Sequence, residues 1–439
     1  MTKKHILRLI TIIIALVLTA PVFAAIPQGE VNLGLGFEWN SQEEKVEMNS
    51  ALTGFRLVLE EYIEPNGKAH LSAKGWRDWK SKTGTIGLDQ VWYSGYSGDF
   101  DYTLGKQVIS WGTADGFNPT NYFSRLDTNA LFSGDMSGEP IWSGEVVYYG
   151  DNWSLTGVVV PVFTPQKIGE EMENLMLGAN DQAAGLIAAI KATDRPKGFG
   201  KNSEWAVRAE TQVGNFDVQG SLYTGYEALP GIELEIEMMP GMPPMPIGFG
   251  MEGKYRKQFF VGLATTGTIG DFGVWTELAY GGPQKFAEAD GPMDIRIPLS
   301  INEKYLQVVV GGDYTLPVGK GLLVQGQYIY QGQGSLFAPY VEVDFDELGA
   351  ALSGGGEYAP EIKPAHYLYG RLGYDFTSDI SVDMVMLHGV NDKGGLVRPS
   401  YNHKLFDAVN LEVSAIKTYG KGELKSIPAQ GRIAVKYSF

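Results

Sequence analysis

Gly431-Arg432-Ile433-Ala434-Val435-Lys436-Tyr437-Ser438-Phe439 closes the chain, and its reading decides the fold. Ile433, Val435, Tyr437 and Phe439 alternate with Arg432, Ala434, Lys436 and Ser438. Neighbouring strand residues point to opposite faces, so this segment has one apolar and one polar side. A soluble protein rarely ends on such a strand with an aromatic carboxyl terminus. The closing strand of a membrane barrel needs this pattern, because it shows apolar side chains to lipid and polar ones to a wet lumen.

The other end of the chain agrees. Lys3, Lys4 and Arg8 precede an apolar run from Leu9 to Leu18, and Pro21-Val22-Phe23-Ala24-Ala25 offers a small-residue cut after Ala24. That order reads as a secretory signal peptide over residues 1–24. The apolar run falls short of the roughly 20 residues that span a bilayer. There is no Cys, which removes lipoprotein acylation, disulfides and thiolate metal sites. The formal net charge is -16; loss of three basic leader residues makes the mature chain more acidic still. Nucleic acid is therefore not an expected partner, since phosphate binding needs a basic face. With 57 Gly and 23 Tyr among 439 residues, the composition suits twisted strands and aromatic girdles. Residues 25–439 are expected to form a single barrel domain.

Working inward from both ends, strand-length alternating segments are joined by turn chemistry. Asn66-Gly67, Gly98-Asp99, Gly150-Asp151-Asn152, Gly214-Asn215 and Gly270-Asp271 are examples, each a hairpin signal. Eighteen candidate strands result, or 16 if the pair near 394–418 is misread. Every second connection is tight, while the alternate set contains long loops at 112–140, 164–202, 228–253, 282–301 and 332–363. This is the loop asymmetry of an all-β, up-and-down antiparallel transmembrane barrel. The alternation also assigns faces. Arg56, Arg208, Glu210, Arg256 and Arg371 fall on the polar side of their strands. At mid-membrane an outward Arg or Lys would cost about 2–4 kcal/mol, so that side must be the lumen.

The terminal Phe439 strand resembles the C-terminal signature of bacterial outer-membrane barrels, which is read by the barrel-assembly machinery. Internally, Leu104-Gly105-Lys106-Gln107-Val108-Ile109-Ser110-Trp111-Gly112, followed by Asn118-Pro119-Thr120, resembles the strand-and-loop motif of a barrel family of unknown function. That family is distantly similar to alginate-export porins, and Lys106 stands where Arg is commoner. Leu396-Val397-Arg398-Pro399-Ser400-Tyr401 and Leu411 to Gly420 are similar to a second part of it. The resemblance covers about a quarter of the chain. It implies a porin-like channel in the bacterial outer membrane, in contact with lipid and lipopolysaccharide. Porins of this size are often trimers, but no interface motif is visible.

Loop 112–140 is the third outer connection, and in general porins that loop folds into the lumen. By that analogy Asp115, Arg125 and Asp127 are expected beside wall charges, and with Arg56, Lys106, Arg208, Glu210, Arg256 and Arg371 they form the candidate constriction. Residues 169–193 read as a helix, with Glu170, Glu171 and Glu173 at its start and Lys191 near its end, as the macrodipole favours. The Met- and Pro-rich segment 228–253 reads as a flexible apolar loop. Asp344, Asp346 and Glu347 form an acidic cluster without EF-hand spacing. No His pair has zinc spacing and no nucleophile elbow or phosphate loop occurs, so no catalytic residue or cofactor is expected. The reading is passive diffusion of small hydrophilic solutes. A polysaccharide exporter, a plugged structural barrel and an outer-membrane phospholipase or protease remain as alternatives.

Overall fold

Period-two alternation builds strands, and here the strands close on themselves. The structure is a computed structural model. It describes residues 27–439 apart from 41–42, 64, 125–137, 170–172, 174–175, 178–181, 240–244, 288–293, 338, 355–357 and 426. The expected signal peptide, Arg125 and Asp127 therefore lie outside the described residues.

In chain order the strands are β1 (Gln28–Asn40), β2 (Lys45–Ile63), β3 (Gly67–Asp78), β4 (Gly84–Ser97), β5 (Phe100–Gln107), β6 (Ile141–Tyr149), β7 (Trp153–Val160), β8 (Glu204–Val213), β9 (Phe216–Tyr226), β10 (Gly231–Met239) and β11 (Met245–Lys254). They continue with β12 (Lys257–Ile269), β13 (Phe272–Pro283), β14 (Asp294–Pro298), β15 (Tyr305–Leu316), β16 (Leu322–Gln331), β17 (Ala365–Asp375), β18 (Ile380–Gly389), β19 (Gly394–Phe406), β20 (Val409–Tyr419) and β21 (Gln430–Ser438). Among the described residues the two longer helices are α1 (Ala183–Ala192) and α2 (Phe345–Gly354).

Eighteen strands, β1–β9, β12, β13 and β15–β21, pair antiparallel with their chain neighbours in one sheet. The last strand returns to the first, with Val31 opposite Tyr437 and Leu33 opposite Val435. Phe439 N–H donates to Gly29 O at 3.0 Å, and Gly29 N–H donates to Phe439 O at 2.9 Å. Closure leaves no bare sheet edge, the condition for strands in a bilayer. The segment 394–418 contributes β19 and β20 as a full pair, with Ser400 opposite Ser414, so the 16-strand count does not hold.

The exterior is apolar. Leu33, Leu104, Leu222, Leu263, Leu368 and Ile433 are exposed there, opposite inward polar neighbours. Trp39, Trp142, Trp205 and Phe259 mark the rim with the long connections, while Tyr96, Phe100, Tyr149, Phe272 and Tyr437 mark the tight-turn rim. Two aromatic girdles around an apolar band define a membrane-spanning barrel, its tight turns towards the periplasm.

Several long connections carry structure that the sequence reading did not anticipate. The segment 228–253 is not a flexible loop: β10 and β11 form a hairpin there, and β14 joins β10 to make a separate three-stranded sheet. Ile232, Leu234 and Ile236 of β10 are buried against Leu186, Ile187 and Ile190 of α1 and Leu348 of α2. That apolar core gives the strands a partner. The α1 helix forms the second part of the helix expected over 169–193; Glu173, Met176 and Leu177 are helical too, and Glu173 and Lys191 pair at 2.7 Å. Asp344 caps α2, its Oδ1 accepting from Asp346 N–H at 2.9 Å and Glu347 N–H at 3.0 Å. The acidic cluster thus begins a helix, where carboxylates face the positive dipole end.

Candidate functional site: a lumen narrowed by the third connection

The strand expected over 99–111 stops at Gln107. Residues 108–111 leave the wall because their apolar side chains have better partners inside. Ile109 and Trp111 are buried with Tyr122, Phe123, Tyr223 and Phe260. Tyr122 stacks on Tyr223 at 4.9 Å and shares a hydrogen bond with Ser221 at 3.0 Å. Gly262 provides the space for this docking, since a Cβ there would meet the Tyr122 hydroxyl at 2.2 Å.

From this aromatic base the chain crosses to the far wall. Glu277 of β13 has no exposed surface and receives the crossing segment. Its Oε1 accepts from Thr113 N–H and from Ala114 N–H at 2.7 Å. Its Oε2 accepts from Thr120 N–H at 3.2 Å and the Thr120 hydroxyl at 2.8 Å. Gly112 lies at φ +98°, and a Cβ there would come within 2.7 Å of the Glu277 carboxylate. The Trp-Gly step of the motif is therefore the point where the chain must pass a buried acid closely. Further along, Gln325 Nε2 donates to Asp115 Oδ2 at 2.9 Å and Gln327 Nε2 donates to Asp115 O at 3.1 Å. Trp275 Nε1 fixes Gln327 in turn at 2.8 Å. The Glu277 carboxylate and the Gln327 amide thus satisfy backbone that would otherwise be unpaired inside a barrel, and the Gln325 amide holds the Asp115 side chain.

Beside the crossing segment lies a cavity of about 1020 Å³. Asp115, Gly116, Phe117 and Asn118 line one side; strands β17–β20 line another. On that wall Arg371 donates from Nε and a terminal nitrogen to Oδ1 of Asp383 at 2.9 and 2.7 Å. Arg398 pairs with Glu412 at 3.3 Å.

The candidate residues therefore separate. Asp115 and Arg371 line the cavity together. Arg56 pairs with Asp89 at 3.1 Å elsewhere on the wall, and Lys106 Nζ donates to Leu88 O at 2.9 Å. Arg208 lies over the Trp111 ring at 4.9 Å and pairs with Glu210 at 3.5 Å, beneath the aromatic base. Arg256 must be reassigned. It precedes β12 and is 3% exposed, with Nε and a terminal nitrogen on Glu227 at 2.7 and 2.6 Å and a bond to Ile301 O at 2.9 Å. It braces the bases of two outer connections and does not line the cavity. Glu277, Asp383, Arg398 and Glu412 were not among the candidates. Glu277 shares its inward face with Trp275 and Ala279, so nothing local marks it.

Above the cavity the long connections build a cap. Its core joins α1, β10, β14 and α2 to Leu424 and Ile427 of the connection after β20. Gln182 ties α1 to the segment before α2, donating to Val343 O at 2.8 Å and accepting from Val343 N–H at 3.1 Å. Glu423 accepts from Ser335 and Tyr367 hydroxyls. Burial raises the Glu227 and Glu423 carboxyls and lifts that of Glu233 in β10 to about 6.

These features define the class: a closed membrane barrel whose third outer connection enters the lumen, which is the fold of the outer-membrane porins. Among solved structures the chain is similar to OccK2 (OpdF) of Pseudomonas aeruginosa in complex with glucuronate. Identity is 10%, with 95% of this chain and 96% of that one covered, at a TM-score of 0.51. OccK11 (OpdR) of Pseudomonas aeruginosa matches at 9% identity over 94% and 96% of the chains, also at 0.51. No family model matches the chain, and no curated protein does either. At these identities the likeness is one of fold.

Proposed function

We propose that the barrel is a passive channel for small hydrophilic solutes. The observation that carries this reading is the crossing of residues 108–124 to Glu277, which narrows the lumen and leaves beside it a cavity lined in part by charged side chains. Diffusion through such a constriction is sorted by width and by the charges that line it. Asp115, Arg371, Asp383, Arg398 and Glu412 are the residues placed to do so. Arginine and carboxylate alternate, so their fields largely cancel, and the acidity of the whole chain is left to attract cations weakly at low salt. Residues 1–24 would direct export, and Phe439 would present the last strand to the assembly machinery.

The test is reconstitution of the mature chain in planar bilayers and in liposomes, with KCl and with glucuronate as solutes. Stepwise conductance with mild cation preference, weakening as salt rises, is expected. Anion selectivity overturns the charge reading, and absence of any conductance overturns the channel. A barrel closed at rest is the second reading, favoured by the cap core across the mouth; it predicts conductance that rises when the cap is loosened. The sign-alternating wall gives no support to an exporter of an anionic polymer, which would need a basic path.

A further inference from the structure

Four adjacent strands, β17–β20, line one wall of the cavity. Towards the outer ends of three of them the inward residues are apolar: Leu387 on β18 and Leu396 on β19 stand opposite each other, and Ile416 on β20 lies one inward position deeper. One or two inward positions deeper, the strands turn to charge: Arg371 on β17, Asp383 on β18, Arg398 on β19 and Glu412 on β20. The sign alternates from strand to strand. Arg371 and Arg398 both face Val385 across their ladders, so they stand at one level on either side of β18. Asp383 stands opposite Ser400 and Glu412 opposite Asn402, so the two carboxylates lie one and two inward positions deeper than the guanidinium level.

We infer that this patch is a binding subsite for a zwitterionic solute with an apolar body, of the chemical class of an α-amino acid with an aliphatic side chain. The inference rests on the channel reading and names the solute class of the same cavity. A solute with one charge meets, beside each attractive group, a repulsive one a single strand away. A zwitterion whose ends lie side by side satisfies both. The pairs remain open to it: Arg371 spends two donors on one oxygen of Asp383, and the side chains of Arg371 and Glu412 stay 37% and 35% exposed. The apolar step above the row, closed over by Leu424 and Ile427, offers nothing to a wholly hydrophilic molecule. An aliphatic group placed there leaves water, and each buried methylene contributes favourably. The two features also fix orientation, with the charged end towards the periplasm.

The experiment uses the mature barrel in lipid nanodiscs and in planar bilayers. The probes are L-leucine, L-serine (the same ends without the apolar body), and 4-methylpentanoate and 3-methylbutylamine (the body with one charge each). Calorimetric titration and block of KCl current are both read. Leucine is expected to bind about tenfold more tightly than any of the other three. Leu396→Ser and Ile416→Ser should each bring leucine towards serine. Arg398→Gln combined with Glu412→Gln should bring it towards the singly charged analogues. Equal binding of leucine and serine, or of leucine and either analogue, overturns the subsite, as does no leucine binding. KCl conductance judges the channel separately: a non-conducting barrel that prefers leucine keeps the subsite and loses the channel. Variants count only if their thermal midpoint matches that of the parent, and the apolar and charge variants test the inference independently.

Discussion

Replacing Glu277 is the sharpest test of how the lumen is narrowed. The carboxylate accepts from three backbone N–H groups and two threonine hydroxyls of the crossing segment. Hydrogen bonds to a charged group are worth about 1.5–3 kcal/mol each. Lumen water replaces much of that once the segment lifts, so a net loss of about 3 kcal/mol is expected for Glu277→Ala. This is on the order of a 100-fold fall in the docked-to-undocked ratio. The aromatic base at Trp111, Tyr122 and Phe123 is untouched, and so is the barrel ladder. The thermal midpoint of the barrel should therefore barely move, while mean single-channel conductance and open-channel noise both rise. Glu277→Gln keeps one acceptor oxygen and places an NH₂ group against backbone donors, so it should fall between the two. Thr120→Ala in the Glu277→Ala background should add little, because the bonds it removes are already gone. Unchanged conductance and noise in Glu277→Ala, with the variant folded, would refute the idea that this acid holds the constriction.

Asp383→Asn leaves the Arg371 guanidinium unbalanced in the cavity, and the reversal potential in a KCl gradient should shift towards anion selectivity; no shift means the pair does not face the ion path. Arg256→Ala strands the Glu227 carboxylate, and loss of one partner of a buried pair costs about 3–5 kcal/mol. Limited proteolysis should then cut the outer connections faster while the barrel core resists as before. The cap should also tighten in acid. Burial raises the Glu233 carboxyl from 4.5 to about 6 and pushes Glu227 and Glu423 upward too. A carboxyl raised in the folded state binds its proton more tightly there, so stability is gained as pH falls through about 6 towards 4.5 and is lost as pH rises back through 6. Protease resistance of the cap should therefore be greater at pH 5 than at pH 7.5, and Glu233→Gln should flatten that difference.

The sequence by itself determined the barrel. Alternation is local, and in Gly431 to Phe439 it assigns each side chain to lipid or lumen without knowledge of any neighbour. Turn residues are local as well, so the order of strands and the side bearing the long connections could be read directly. Tertiary structure alone decided what the lumen does. Glu277 meets Thr113 and Thr120 across more than 150 positions of chain. Arg256 looks like a wall residue until Glu227 and Ile301 are seen around it. The hairpin of β10 and β11 hides among methionines and prolines because its stabilising core comes from α1, α2 and β14. Such contacts depend on which distant strands face one another once the sheet closes, and no pattern along a single strand encodes that.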